Sequence, residues 1–259
     1  MEIKKIIPPV LKDFYKSHIS KYGWFGNYPS WESASRVSCG YAADNILEKV
    51  KDSLLKVKCG DAVYERDSVL FDKKDYSPAV LSALLLAKKN ESLSVLDFGG
   101  SLGTTYFQNK ESLDRMKKVR WNIVEQKNFV DCGEKYFQDE ELRFYDSIGS
   151  CLKKERPNLL ILSSVLPYIE YPYEFIKNVL DMNFEYVLVD RTPFVQGEDR
   201  LTIQRVNPRI YRASYPCWMF DEKKFITIFS AKYKLVSEFS ALDESNAEFK
   251  HKGMLFARK

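Results

Sequence analysis

Leu93-Ser94-Val95-Leu96-Asp97-Phe98-Gly99-Gly100-Ser101-Leu102-Gly103-Thr104-Thr105-Tyr106-Phe107 reads as a short apolar strand, an acid near its end, a glycine-rich turn and the start of a helix. Glycine has no Cβ, so such a turn folds tightly and lets a ligand approach the backbone. The helix after it directs its unpaired N–H groups into the same crevice. A nucleotide-like cofactor at that crevice is the expectation from which the other segments are read.

Downstream the pattern repeats. A helix over 103–117 leads to a strand over 119–124 that ends on Glu125. A helix through 137 precedes a strand over 142–145, ending at Asp146 and Ser147. Another helix runs to 154, and the strand over 158–162 ends at Ser163 and Ser164. A helix over 173–182 then precedes a strand over 184–189, ending at Asp190 and Arg191. Near-continuous apolar strands separated by helices predict a mostly parallel sheet covered on both faces. The stretch 192–220 breaks the rhythm and reads as an inserted lid, a candidate hairpin over the carboxyl edge of the sheet. Asp221 caps a helix to 231. Strands over 233–239 and 252–257 make a closing antiparallel pair, joined by a polar linker at 241–249.

Upstream, a short helix is expected over 10–20. The aromatic segment Tyr22-Gly23-Trp24-Phe25-Gly26-Asn27-Tyr28-Pro29-Ser30-Trp31 reads as a loop packed by its rings or as a lid over a substrate. Apolar residues at helical spacing mark a helix over 41–57 with Gly60 as its stop. The charged run at 62–72 faces something specific, and Ser77-Pro78 caps a helix through 88. This divides the chain into a helical, lid-forming extension (1–90) and a Rossmann-like α/β domain (91–259) carrying the 192–220 insertion.

Composition narrows the function. With 259 residues, 45% apolar, the chain can bury one large core. A formal charge of +4, with basic and acidic residues interspersed, argues against a nucleic-acid partner. Five widely spaced cysteines and two histidines offer no metal-binding spacing, and they suit reduced thiols in the cytoplasm. The apolar run at 79–87 is too short for a transmembrane segment.

In an open α/β sheet, ligands sit outside the carboxyl ends of the strands, where Asp97, Glu125, Asp146 with Ser147, and Ser163 with Ser164 would converge. An acid ending the second strand can accept both ribose hydroxyls and disfavours a 2′-phosphate. Asp97 is the sharper clue. A dinucleotide would lay its pyrophosphate over this turn, where a carboxylate repels it. S-adenosylmethionine carries no phosphate and has a cationic sulfonium and amino group, so it suits this site. The plain alternative for Asp97 is a turn or cap residue.

The residue order resembles class I S-adenosylmethionine-dependent methyltransferases, with Ser101 standing where their common glycine pattern has its middle glycine. More of the chain resembles a narrower group, the methyltransferases encoded with bacterial O-antigen, capsule and other surface-polysaccharide genes. That likeness runs through Gly26-x-Tyr28-x-Ser30-Trp31, Tyr64-Glu65-Arg66-Asp67-Ser68-Val69-Leu70-Phe71-Asp72, Asp97-Phe98-Gly99-Gly100-Ser101-Leu102-Gly103, Asp190-Arg191-Thr192-Pro193, Asp199-Arg200-Leu201-Thr202 and Ile210-Tyr211-x-Ala213-Ser214-Tyr215-Pro216. It implies O-methylation of a sugar, or of a nucleotide- or phosphate-linked intermediate, with a small-molecule acceptor.

The expected cofactor contacts are Asp97, Gly99, Gly100, Gly103, Glu125, Asp146 and Ser163, with Gln126 and Ser147 near the adenosine. Arg66 is the candidate for the methionine carboxylate; its alternative is an ion pair with Glu65 or Asp67. A sugar hydroxyl needs a general base as it attacks, and the candidates are Asp190, Tyr211, Tyr215, Asp199 and His251. Asp190 could instead only cap its loop, and His251 could be an exposed loop residue. Tyr28 and Trp31 are candidate acceptor contacts, with Asp199. Arg191, Arg200 and Arg205 could bind an acceptor phosphate or be ordinary surface charge.

Two rival readings stay open. A nicotinamide-dependent sugar oxidoreductase or epimerase would use the Tyr173-x-x-x-Lys177 pair, although its glycine fingerprint would open the chain instead of coming after residue 90. A non-catalytic scaffold would keep the fold and bind a glycosyltransferase. An RNA methyltransferase fits the modest charge less well.

Overall fold

The computed structural model describes residues 21–40, 43–66, 68–73, 77–208, 210–243 and 248–259. The helix expected over 10–20, with His18, and Asp67 lie outside the described residues. Ahead of the glycine-rich strand, side-chain caps set the boundaries. Strand β1 (Gly23–Phe25) precedes helix α1 (Trp31–Arg36), opened by a capping box in which the Ser30 hydroxyl accepts the Ser33 amide at 3.2 Å. Helix α2 (Ala43–Lys58) is followed by a two-stranded hairpin, β2 (Tyr64–Arg66) and β3 (Val69–Phe71). Helix α3 (Pro78–Ala87) begins where Ser77 caps the Val80 amide and Pro78 takes the first turn.

The repeat then runs as β4 (Ser92–Phe98), α4 (Thr104–Leu113), β5 (Lys118–Val124), α5 (Lys127–Tyr136), β6 (Leu142–Tyr145), α6 (Ile148–Lys154) and β7 (Leu159–Ser163). A 3-10 turn (Leu166–Tyr168), α7 (Pro172–Asp181) and β8 (Tyr186–Val195) come next. The chain closes with β9 (Arg200–Arg205), β10 (Ser214–Asp221), α8 (Glu222–Phe229), β11 (Tyr233–Ser240) and β12 (Lys250–Arg258).

Strands β6, β5, β4, β7 and β8 lie side by side in that order, all parallel; β12 runs antiparallel to β8, and β11 to β12. Alternation along each strand serves two cores. Val95, Leu159 and Ile161 face Val50, Leu84, Tyr106 and Phe129 from α2–α5. Leu96, Leu160 and Leu162 face Ile148, Ile176, Val179 and Phe225 from α6–α8. Both faces of the strands are thus apolar, as a covered parallel sheet requires. The closing pair is locked from that second side, where Phe256 of β12 stacks on Phe229 at 4.1 Å.

Three details differ from the sequence reading. Strand β8 does not end at Asp190 but runs on to Val195. Its pairing with β7 stops at Ser163 opposite Asp190, and the open edge beyond is taken by β10, in register Phe220 to Phe194. The 192–220 stretch does hold a hairpin, β9 with β10, built into the sheet as its continuation past the carboxyl end of β7. The aromatic segment at 22–31 is partly strand: β1 pairs antiparallel with β9. Backbone donors exposed on β9 find partners there, which a local reading of the aromatic run cannot foresee.

At Asp190 the β8–β12 ladder carries a bulge. Met254 pairs with Val189 and Lys252 with Thr192, leaving Asp190 and Arg191 opposite Gly253 alone. Arg191 takes the left-handed conformation (φ 50°) within this bulge. A Cβ on Gly253 would stand 2.1 Å from Phe239 Cζ and 2.9 Å from Asp190 Oδ1, so a side chain there must displace the Phe239 ring.

Candidate active site

A cleft of about 560 Å³ opens over the carboxyl ends of β4, β5 and β7 and over the bulge in β8. It lies within the range of about 300–1,000 Å³ usual for small-molecule sites. The glycine-rich turn forms its floor. Ser101 adopts the left-handed conformation (φ 55°), standing in for the middle glycine of the expected pattern at some cost in strain. Gly100 is needed for a different reason: a Cβ there would lie 2.6 Å from the Asp97 carboxyl carbon.

Asp97 sits beneath this turn, 1% exposed, and its Oδ2 accepts the Trp121 indole N–H at 3.1 Å. Burial pushes its pKa up to about 7; the Trp121 hydrogen bond offsets part of that and the nearby Glu125 charge adds to it. Glu125 comes directly after β5 and is held by backbone amides, Ser101 N–H to Oε1 at 3.3 Å and Gln126 N–H to Oε2 at 2.8 Å. Burial raises its pKa, against those two bonds. Each of its oxygens retains a second lone pair for a ligand hydroxyl.

On the far side of β4, Ser163 ends β7, and Ser164 directly after it is again left-handed (φ 52°). Next to them Asp190, 6% exposed, borders the cleft; its Oδ1 is buried on the Gly253 side and meets no hydrogen-bond partner among the described residues. Burial raises its pKa to about 6, although the Arg191 charge and amide pull it down. Arg191 forks onto Asp243, Nε to Oδ2 at 2.8 Å and Nη2 to Oδ1 at 2.9 Å. Burial works against the Asp243 charge, but that fork, with His251 and Arg66 nearby, holds its pKa below the usual carboxylate value. His251 is no exposed loop residue: it belongs to β12, is 6% exposed and packs against Trp24 at 5.3 Å.

The wall opposite the turn is aromatic. The Tyr168 hydroxyl donates to Gln204 Oε1 at 2.7 Å, its ring meets Tyr215 edge-on at 5.1 Å, and the Tyr211 and Tyr215 hydroxyls lie 3.4 Å apart. Of the residues expected at the site, Arg66, Asp97, Gly99, Gly100, Glu125 and Gln126 border the cleft. So do Ser163, Asp190, Arg191, Tyr211, Tyr215, His251 and Trp31.

Others are occupied elsewhere. Gly103 packs behind the turn, buried next to Ile123 and Leu142. Asp146 and Ser147 close the first turn of α6: Ser147 caps Ser150 N–H at 3.2 Å, and Asp146 accepts the Ser150 hydroxyl at 2.6 Å. Tyr28 packs on Ala34, Leu201 and Ile203. Asp199 gathers the Tyr173 hydroxyl at 2.6 Å, the Asp221 amide at 2.7 Å and Lys224 at 2.5 Å. Arg200 pairs with Glu248 at 3.0 Å, and Arg205 lies over the Phe25 ring at 4.9 Å. Tyr173, half of the Tyr-x-x-x-Lys pair, therefore spends its hydroxyl on Asp199 and does not border the cleft.

Sequence reasoning did not single out Glu65, Tyr168, Gln204 or Asp243, all of which border the cleft. Glu65 had a signal, the charged run at 62–72. Asp243 sits in a stretch that reads as polar linker, and nothing local marks it.

No family model and no curated protein matches the chain. Among solved structures it is similar to an S-adenosylmethionine-dependent methyltransferase from Methanosarcina mazei (TM-score 0.50, 12% identity, 71% of this chain and 98% of that one). It is also similar to the 1,6-didemethyltoxoflavin-N1-methyltransferase of Burkholderia thailandensis, solved with 1,6-didemethyltoxoflavin and S-adenosylhomocysteine (TM-score 0.45, 14% identity, 85% and 92% covered). A third is the magnesium protoporphyrin IX methyltransferase of Synechocystis PCC 6803 with bound S-adenosylmethionine (TM-score 0.46, 11% identity, 70% and 77% covered). The first of these likenesses shows the fold, a Rossmann-like methyltransferase sheet with flanking helices.

Proposed function

We propose that the chain is a cytoplasmic S-adenosylmethionine-dependent methyltransferase that O-methylates a small sugar-containing acceptor of surface-polysaccharide synthesis. The observation that carries this reading is a pair of buried acids bordering one cleft. Asp97 lies under the glycine-rich turn, and Asp190 borders the same cleft two strands away on β8.

The residues fit the cofactor by their charge. A buried carboxyl whose pKa is driven up to about 7 gains from a cationic neighbour and repels a phosphate. S-adenosylmethionine would supply an electrophilic methyl group here. Glu125, oriented by the Ser101 and Gln126 amides, would accept the ribose hydroxyls, and Asp97 would face the cationic end. Arg66 would take the carboxylate.

The acceptor half would be formed by Tyr168, Tyr211, Tyr215 and Trp31, with the β9–β10 extension keeping water out. Aromatic walls with few polar groups suit a ring whose hydroxyls must be oriented. Asp190 would accept the proton of the attacking hydroxyl. With a pKa of about 6 it is ionised at neutral pH yet basic enough to help. Holding both reactants in line can lower the barrier by roughly 7–11 kcal/mol, the larger share of the work.

Calorimetric titration with S-adenosylhomocysteine and with NADH tests the cofactor. Micromolar binding of the first and none of the second is expected, and the opposite pattern would overturn the reading in favour of an oxidoreductase. Transfer of a labelled methyl group to a panel of sugars and nucleotide sugars tests the activity. A chain that binds the cofactor but methylates none of them would be a scaffold or serve another acceptor.

A further inference from the structure

Glu65 is 2% exposed, an unusual place for an acid, and each of its oxygens is engaged. Oε1 accepts the Ser68 amide at 2.6 Å, inside the β2–β3 turn, and Oε2 accepts the Thr104 hydroxyl at 2.9 Å, on the first turn of α4. The Glu65 carbonyl accepts the Gln108 side-chain amide at 2.8 Å, one turn further along the same helix. Helix α4 has no side-chain cap and no acid in its own first turn. Glu65 therefore brings from a distant segment the negative charge that a helix N-terminus favours. Burying that charge is tolerable because both oxygens are hydrogen-bonded.

The arrangement has a direction. Through Glu65 the hairpin is fastened to the helix that leaves the glycine-rich turn. Its next residue, Arg66, lies close enough to Asp243 for its charge to help keep that carboxylate ionised. Asp243 is forked by Arg191 of β8, which is on the opposite side of β4 from β5 and Glu125. Arg66 and Ser68 of the hairpin line the same cleft as Arg191 and Asp243.

We propose that Glu65 is a positioning residue. By clasping the hairpin to Thr104 it holds Arg66 and the cleft wall against the amino-acid tail of the cofactor. This rests on the S-adenosylmethionine reading above. Glu65 itself does not touch the reacting atoms; it acts through Arg66 and the wall.

Two ligands separate the ends of the cofactor. S-adenosylhomocysteine has the tail, and 5′-methylthioadenosine keeps the adenosine and thioether without it. By titration calorimetry, Thr104→Ala and Glu65→Gln should each weaken S-adenosylhomocysteine by about tenfold or more, as losing a hydrogen bond to a charged group does. Methylthioadenosine should stay within about twofold of wild type, and Thr104→Ser should restore the tighter binding. Unchanged affinity for S-adenosylhomocysteine in both variants would overturn the clasp. Equal weakening of both ligands would also overturn it, because that marks general loosening of the fold. A wild-type protein that binds neither ligand would instead remove the cofactor reading, and this proposal with it.

Discussion

Asp97 and Trp121 are joined across neighbouring strands by an indole N–H to carboxylate hydrogen bond of 3.1 Å, in a place closed to solvent. The carboxyl keeps its proton up to about pH 7, so the folded chain binds more protons there than the unfolded chain does above pH 4. Its stability contribution is complete below about pH 4 and is lost as pH rises through 7. Asp97→Asn keeps the acceptor for Trp121 without the charge. Ligand-free, this variant should be more stable than wild type at pH 8 by about 2–4 kcal/mol, with the gap closing toward pH 4. Thermal melts across that range check it; a gap that widens at low pH would contradict the assignment.

Glu125 is the expected ribose acceptor, held ready by two backbone amides. Glu125→Ala should weaken S-adenosylhomocysteine by about tenfold to a hundredfold, the cost of two lost bonds to a charged group. Calorimetry reads this directly. Because the side chain is partly exposed, the melting temperature should move little.

A variant of Asp190, the proposed base, should separate binding from turnover. Asp190→Asn should leave S-adenosylhomocysteine affinity within a few fold while lowering methyl transfer by about 10²–10⁴-fold. With a folded pKa of about 6, the wild-type rate should fall as pH drops through 6, and this limb should vanish in the variant. Labelled-methyl assays from pH 5 to 8 provide the profile.

A Cβ on Gly253 would lie 2.1 Å from Phe239 and 2.9 Å from Asp190, so an added methyl must push the Phe239 ring aside. Gly253→Ala should destabilise the fold by about 1–3 kcal/mol through overpacking. Phe239→Leu in the same chain should recover part of that loss. Urea titrations of the single and double variants measure both.

The strand–turn–helix repeat was legible because its signals are local. Apolar runs such as 159–162 leave no exposed face, Ser77-Pro78 and Asp221 cap the helices that begin at 78 and 222, and glycines mark the turn after β4. The end of β8 was not. Asp190 and Arg191 look like a strand terminus, yet Gly253 and Phe239, some fifty or more residues on, let the strand bulge there and continue. Asp146 illustrates the converse: its place at a strand end suggested a ligand contact, and its side chain turns to the α6 cap instead.

By itself, then, the sequence determined a mostly parallel sheet closed by an antiparallel pair, and an acid beneath a glycine-rich turn. Periodicity and glycine act over a few residues and need no partner. Only the tertiary structure decided which polar groups share the cleft, bringing Glu65, Asp190 and Asp243 to it and sending Asp199, Arg200 and Arg205 elsewhere. Where a side chain points at a strand end depends on register, on a bulge and on the charge that reaches it first, and those are supplied by segments far away along the chain.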